Sequence, residues 1–124
     1  MSEIRATTIS DAAGTGPITL TGQSAAKAWV NFNGTGTVAV RQSNNVSSIT
    51  DNGTGNYAVN FTNAQVDANF AVSGNCKEDT ANVRGDHTLT MWRTANATSS
   101  TRVSVVNFAG TVVDNLEVYV VINR

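Results

Sequence analysis

The sequence predicts an all-β protein: an antiparallel β-sandwich or jelly-roll-like domain with an N-terminal extended arm. Short segments in which apolar and polar residues alternate recur along the 124 residues, and helical periodicity is hard to find. Glycine and asparagine turn signals separate these segments at the close spacing that is typical of sandwiches and jelly rolls. The pattern accommodates about seven to nine short strands in a single domain.

Residues 1–25 are interpreted as an arm or edge segment that precedes the domain. Their β-like pieces, EIRATTI and PITLT, are short and flank the turn-rich stretch SDAAGTG, and Pro17 is the only proline. An arm of this kind can add a strand to the sheet edge of a neighbouring subunit. Residues 26–124 are predicted to form a single β-sandwich domain, which is long enough to bury one hydrophobic core.

The first strands of the domain surround two copies of one tetrapeptide. The segment AKAWVNF alternates in polarity, Asn-Gly-Thr-Gly follows at residues 33–36, and TVAVRQ alternates again. The same tetrapeptide returns at residues 52–55, between NVSSIT and NYAVNFT. Asn-Gly and glycine supply the positive φ angles that tight hairpins require. Each copy is therefore predicted to turn one strand into the next.

A glycine-rich loop can instead bind a phosphate group, and this alternative fits the two copies poorly. A phosphate loop needs a helix directly after its glycines, because the helix N-terminus holds the anion. Neither copy is followed by a helical pattern or by the Lys-Ser/Thr ending of a nucleotide-binding loop.

The rest of the chain continues the β pattern. Residues 63–69 are expected to form a single helical turn or a tight loop, after which FAVSG resumes a strand. Residues 76–86 lack periodicity and indicate an exposed loop, HTLTMW alternates again, and TANATSS is another polar loop. TRVSVVNF and VVDNLEVYVVIN are predicted to be two longer strands. The last strand places on one face Leu116, Val118, Val120 and Ile122, with Tyr119 and Val121 opposite, so both of its faces are expected to be covered.

The composition excludes several classes of protein. The net charge is −1 and no Lys/Arg cluster exists, which argues against nucleic-acid binding. No apolar run approaches the length of a membrane span, and the first ten residues lack the apolar core of a signal peptide. Charged residues make up 14%, below the usual value of about 25%, so the surface is neutral and rich in hydrogen-bonding groups. Such a surface is typical of turn-rich β proteins and also suits assembly.

The sequence offers little for catalysis, and the protein is predicted not to be an enzyme. The only histidine, His87, follows Asp86, but no Gly-x-Ser-x-Gly nucleophile motif accompanies them. A nucleophilic triad needs all three groups to converge in space. A glycan depolymerase would need a carboxylate pair in a groove, and nothing indicates that Asp51, Asp67 and Asp86 converge. No catalytic residue is assigned.

Metal and cofactor sites are not predicted either. Cys76, the single cysteine, cannot form an internal disulfide and stands eleven positions from His87, without the ligand spacing of a zinc site. Asp51, Asn52 and Asn56 share a glycine-containing segment that could hold calcium, but the bidentate glutamate of an EF-hand is missing. The turn interpretation is therefore preferred.

Two further features allow a structural and a functional interpretation. A mixed-charge segment is either a solvated loop or a loop that contacts a partner or host surface; it contains Lys77, Glu78, Asp79, Arg84 and Asp86. Trp29 and Trp92 each lie on the face opposite the aliphatic residues of their strand. They are expected to be core or interface aromatics, with stacking on a glycan as the alternative.

The segment from Ala26 to Gly74 resembles a module of tailed-bacteriophage virion proteins. The resemblance lies in KAWVNFNGTG, in NVSSITDNGTG, in NYAVNFT and in the following asparagine-aromatic-Ala-Val step, and the lead-in TTISDAAGTGPITLTGQSA is similar too. After Gly74 it fades to a general β pattern. The signature residues are architectural positions of core and turn: Trp29, Asn33, Gly34, Asp51, Gly53, Gly55, Tyr57 and Phe61.

The resemblance implies a non-enzymatic structural protein on the exterior of a tailed-phage virion, made in the cytoplasm of the bacterial host. A homotrimeric capsid decoration (cement) protein with an N-terminal clamping arm is preferred, because no coiled-coil or repetitive shaft is present. The alternative is a tail-fibre or receptor-binding module for host attachment. The implied partners are other copies of the chain and capsid or tail proteins, with a host surface glycan or receptor for the alternative.

Overall fold

The described part of the chain forms eight β-strands. The computed structural model describes residues 12–13, 25–77, 87–91 and 96–124, and these contain no helix. The strands are β1 (Ala26–Asn33), β2 (Ala39–Asn44), β3 (Val46–Asp51), β4 (Asn56–Phe61), β5 (Ala71–Lys77), β6 (Thr88–Met91), β7 (Ser100–Val106) and β8 (Glu117–Asn123). Nearly all of the predicted arm, residues 1–25, lies outside the described residues.

The strands form two four-stranded sheets, which confirms the predicted all-β antiparallel sandwich. Sheet A has the order β2-β1-β8-β5, and sheet B has the order β3-β4-β7-β6. All neighbouring strands are antiparallel. The chain passes from sheet A to sheet B at Asn45, whose φ of 54° lies in the left-handed region. Asparagine tolerates that region better than most residues.

The hydrophobic core lies between the sheets and follows the period-two pattern of the sequence. Tyr57, Val59 and Phe61 alternate with half-buried residues along β4, as the alternation predicts. The rings of Phe32 in sheet A and Tyr57 in sheet B meet edge to face, with centroids 5.0 Å apart. The other buried apolar side chains are Ala28, Val30, Val46, Phe70, Val103, Val105, Val118, Val120 and Ile122.

An irregularity marks the pairing of edge strand β2. Asn31 pairs with Gln42 and Phe32 pairs with Val40, so Arg41 is an extra residue that bulges out of the ladder. A charged bulge at a sheet edge hinders the pairing of further strands.

Three expected elements differ from the structure. The predicted loop of residues 76–86 begins too early, because β5 continues through Cys76 and Lys77. Residues 63–69 adopt bends, so the tight-loop alternative is correct there. The last predicted strand is shorter than its sequence pattern, because β8 begins only at Glu117 and Leu116 precedes it. Val112 forms a single bridge to Val106, and the segment between Val112 and β8 crosses the end of the sandwich instead.

Candidate functional site

Both Asn-Gly-Thr-Gly copies turn strands, as predicted, and both lie at the same end of the sandwich. The first turn (residues 33–36) joins β1 to β2, and the second turn (residues 52–55) joins β3 to β4. We call this end, where β1 and β3 finish and β4 and β8 begin, the turn end. The segment 107–116 lies here too, because it connects the end of β7 to the start of β8.

The first turn is held by its own asparagine. The Oδ1 atom of Asn33 accepts hydrogen bonds from the backbone N–H of Thr35 at 3.1 Å and from its hydroxyl at 2.8 Å. The Nδ2 group of Asn33 donates to the carbonyl oxygen of Thr35 at 3.0 Å. Asparagine satisfies a turn in this way because its short side chain reaches the backbone two residues on.

The second turn uses a different residue for the same purpose. Oδ1 of Asp51, which precedes the tetrapeptide, accepts from the N–H of Gly53 at 2.9 Å. The backbone closes the loop, since the N–H of Asn56 donates to the carbonyl of Gly53 and the N–H of Asn52 donates to that of Asn56, each at 2.9 Å. The side-chain oxygen of Asn56 accepts from Arg102 at 3.0 Å. One side-chain oxygen each of Asp51 and Asn56 therefore accepts a hydrogen bond within the turn or from the neighbouring strand β7, and the side chain of Asn52 donates to the carbonyl of Thr50 at 3.4 Å.

Five residues connect the two turns, and we call them the junction: Gly34, Gly55, Tyr57, Asp114 and Asn115. The carboxylate oxygen Oδ1 of Asp114 lies 2.7 Å from the N–H of Gly55 and 2.8 Å from the hydroxyl of Tyr57. The same hydroxyl lies 2.9 Å from the carbonyl oxygen of Gly34. The backbone N–H of Gly34 donates to the carbonyl of Asn115 at 2.8 Å. Tyr57 and the Asp-Asn pair thus bind the turns to each other.

Burial and charge both act on Tyr57. The removal of its hydroxyl from water raises the pKa of Tyr57 well above its ordinary value of 10.0, and the neighbouring Asp114 raises it further. Both effects disfavour the phenolate, because an anion is poorly solvated there and repelled by the carboxylate. Tyr57 therefore stays protonated and acts as a hydrogen-bond donor rather than as a base.

His87 lies beside the junction. Its Nδ1 atom is 2.6 Å from Oδ1 of Asn115, whose side chain is buried. The distance is that of a hydrogen bond between the imidazole and the amide, and its direction follows the tautomer of His87. Asp86, which precedes His87 in the sequence, lies outside the described residues. The contact explains His87 as a support for the segment 107–116.

The remaining candidate residues are dispersed. Cys76 is half-buried and packs against the core, and Lys77 forms an exposed ion pair with Glu117 at 3.3 Å. Trp29 is half-buried on the outer face of sheet A, as its alternation predicts. Trp92 and residues 78–86 lie outside the described residues. In the described part of the chain, no three His, Cys, Asp or Glu residues are grouped as metal ligands would be.

Sequence reasoning missed the junction residues Asp114 and Asn115. A signal was present, because this polar pair interrupts the apolar run VVDNLEVYVV. The prediction included Asp114 and Asn115 in the last strand. In the structure they precede β8 and hydrogen-bond to the two turns.

Three comparisons with known proteins gave the same result. A scan of protein-family models, a search of curated proteins and a search of solved structures each found no match. Within the described residues, the structure also contains no helix with the length and apolarity needed to span a membrane.

Proposed function

We propose that the chain is a non-enzymatic structural protein on the exterior of a tailed-phage virion, as a homotrimeric capsid decoration protein. The resemblance of Ala26 to Gly74 to phage virion proteins is the starting point. Within that segment, the signature residues Tyr57, Gly34 and Gly55 take part in the junction. Residues that carry the resemblance therefore also hold the two turns together, as expected of a structural module.

The outer face of sheet B is the observation that carries the proposal. It presents short neutral side chains, and Asn60 donates hydrogen bonds to the hydroxyls of Ser48 at 3.0 Å and Thr50 at 2.9 Å. Arg102 is the one charged residue among the described residues paired across this face. Like copies can approach through such a face with little charge repulsion, because like-charge contacts are what costs most at an interface.

The alternative, a tail-fibre or receptor-binding module, draws on the outer face of sheet A. Trp29 pairs with Val121, and the next outward position of β1, Asn31, pairs with Tyr119. The two aromatic residues are therefore diagonal neighbours on one face, close enough for long side chains to interact. Aromatic rings beside amide groups suit the stacking and hydrogen bonding of a neutral glycan.

The number of copies per virion tests both functions. Quantitative mass spectrometry of purified particles would compare this chain with the major capsid protein. A ratio near that of the capsid protein supports decoration, and a few copies per particle support the tail alternative. Absence of the chain from purified particles overturns both. For the tail alternative, Trp29→Ala should also abolish adsorption to host cells without lowering the copy number.

A further inference from the structure

At the turn end, one aromatic side chain of the described residues is almost fully exposed to solvent. Phe108 is 92% exposed, the highest value among the large apolar residues that the structure describes as exposed. It sits in a turn that is closed by hydrogen bonds from the N–H of Asn107 to the carbonyl of Thr111 and from the N–H of Gly110 to the carbonyl of Asn107. Oδ1 of Asn107 also accepts from the N–H of Thr111, at 2.9 Å.

This geometry makes Phe108 suited to binding. Gly110 has a φ of 79° and completes the turn without strain. A phenyl ring in water forgoes about 1.5–3 kcal/mol that burial would provide. A rigid turn presents it with little conformational entropy left to lose, which is the arrangement of an aromatic anchor at an interface.

A depression lies at the opposite end of the molecule. Its volume is about 220 Å³, and it is lined by Lys27, Asn45, Ala64, Gln65, Val66 and Arg124. Ala64 is exposed, and Val66 is 85% exposed. The floor is held in place, because Nδ2 of Asn45 donates to the carbonyls of Lys27 at 3.0 Å and Asn63 at 3.2 Å. The N–H of Gln65 donates to the carbonyl of Thr98 at 2.7 Å.

The depression fits an aromatic ring in size and chemistry. The depression is open to solvent, and its volume of about 220 Å³ leaves room for a phenyl group. Ala64, Val66 and the methylene stem of Lys27 offer apolar contact. The Lys27 ammonium and the Arg124 guanidinium, which pairs with Asp67 at 2.6 Å, can face the ring as cations.

A molecule cannot fill its own depression with its own Phe108. β1 runs from Lys27 near the depression to Asn33 at the turn end, and these six steps of extended strand span about 20 Å. The two features therefore meet only between copies. Charge favours the same pairing, since the turn end exposes Asp51 and Asp114, whereas at the depression Asp67 offsets Arg124 and leaves the charge of exposed Lys27.

We propose that Phe108 of one copy inserts into the depression of a second copy, in a head-to-tail contact that also brings Val112 close to the partner. The contact is heterologous, so it closes into a ring or extends as an open chain, depending on the rotation between copies. A homotrimer of cyclic symmetry requires a contact of this kind. The proposal rests on this chain's surface and stands independently of the virion role.

Analytical ultracentrifugation of the full chain over a wide concentration range tests the contact. The unchanged chain should associate, and Phe108→Ala should lower the association constant by at least about tenfold, as for an interface anchor. Met91→Ala, which trims another exposed apolar side chain away from the turn end, is the matched control and should associate as the unchanged chain does. Circular dichroism and unfolding midpoints would verify that each variant is folded.

A mixture of two defective chains gives the sharper result. Ala64→Arg fills the depression and should also yield monomers, since Ala64 is exposed and its replacement does not disturb the core. Mixed with Phe108→Ala, it should form one-to-one dimers and nothing larger, because each pair retains one intact contact. Overturning results are a monomeric unchanged chain at all concentrations, association unaffected by Phe108→Ala, or a mixture that stays monomeric.

Discussion

The two Asn-Gly-Thr-Gly turns have the same sequence, but the glycine that lacks space for a side chain is the first in one turn and the second in the other. In the first turn, Gly34 needs the space, because a Cβ atom there would lie 2.5 Å from the Tyr57 hydroxyl, while Gly36 lies in open space with a φ of 58°. In the second turn, Gly53 lies in open space with a φ of 112°, and Gly55 has no room for a side chain. Each tetrapeptide thus has one glycine that permits close packing, but at a different position.

The surroundings of the turns explain this difference. The first turn contacts the junction through the backbone of Gly34, which bonds to Asn115. The second contacts it through Gly55, whose N–H donates to Asp114 at 2.7 Å and whose carbonyl accepts from the N–H of Val105 at 2.9 Å. The same four residues can serve either arrangement because glycine permits both a positive φ and a close approach. The neighbouring segments decide which glycine of each turn is closely packed and which lies in open space.

Replacement of Gly55 by alanine should have the largest effect. A Cβ atom there would lie 2.6 Å from the backbone N and O of Val113 and 2.7 Å from the carbonyl oxygen of Val105, and the φ of 60° is also unfavourable. Strain and overpacking together should lower the free energy of unfolding by at least about 3 kcal/mol. Urea unfolding measures this loss. A loss below about 1 kcal/mol would contradict the close approach.

Replacement of Gly34 by alanine should follow, at about 2 kcal/mol. Here the obstruction is the Tyr57 hydroxyl at 2.5 Å and the Asn115 carbonyl at 2.9 Å, with no left-handed φ. Tyr57→Phe removes the hydroxyl, so Gly34→Ala should cost less in that background. A double-mutant cycle in urea should give a coupling of at least about 0.5 kcal/mol. Additive effects would show that the hydroxyl is not the obstruction.

Tyr57→Phe by itself should cost about 1–3 kcal/mol at neutral pH, because it removes the single hydroxyl proton that lies between the carbonyl of Gly34 and the carboxylate of Asp114. The raised pKa of Tyr57 adds a pH dependence. The folded state holds the phenolic proton more tightly, so this stabilisation is complete below the unfolded value of 10.0 and is lost as the pH rises through the higher folded value.

Alkaline unfolding curves measure that contribution. Above pH 10, the unchanged chain should lose up to about 1.4 kcal/mol per pH unit through Tyr57. Tyr57→Phe should show a shallower decline over the same range. The hydrogen bond with Glu117 also raises the pKa of Tyr119, the other tyrosine, so both chains are compared in a Tyr119→Phe background, in which only Tyr57 can contribute a tyrosine titration. Equal slopes for the unchanged chain and Tyr57→Phe would contradict the burial of this hydroxyl.

The smallest effect should come from Gly36. Alanine there adds only the cost of a left-handed φ, about 1 kcal/mol, because a Cβ atom meets nothing within 4 Å. Asparagine tolerates this region, so Gly36→Asn should cost less than Gly36→Ala. Gly36→Ala also serves as the control for Gly55→Ala, since the two positions share their φ and differ in their space. Equal losses at both positions would remove the distinction between the turns.

Local patterns predicted most of the fold. The alternation of Tyr57, Val59 and Phe61 placed β4 and its buried face correctly, because a strand turns successive side chains to opposite sides. The two Asn-Gly-Thr-Gly turns were predictable because Asn-Gly and glycine supply the positive φ angles of tight turns. Asp114 and Asn115 were not, because their partners Gly34, Gly55 and Tyr57 lie more than fifty positions earlier in the chain.

By itself, the sequence determined the class of the protein: all-β, antiparallel, low in charge and with glycine turns between short strands. Those properties depend on neighbouring residues, whose preferences act within a few positions. Only the tertiary structure decided the strand order, the junction between the turns and the opposite placement of Phe108 and the depression. These features depend on which distant segments pack together, and that is set by burial of the whole core rather than by any local pattern.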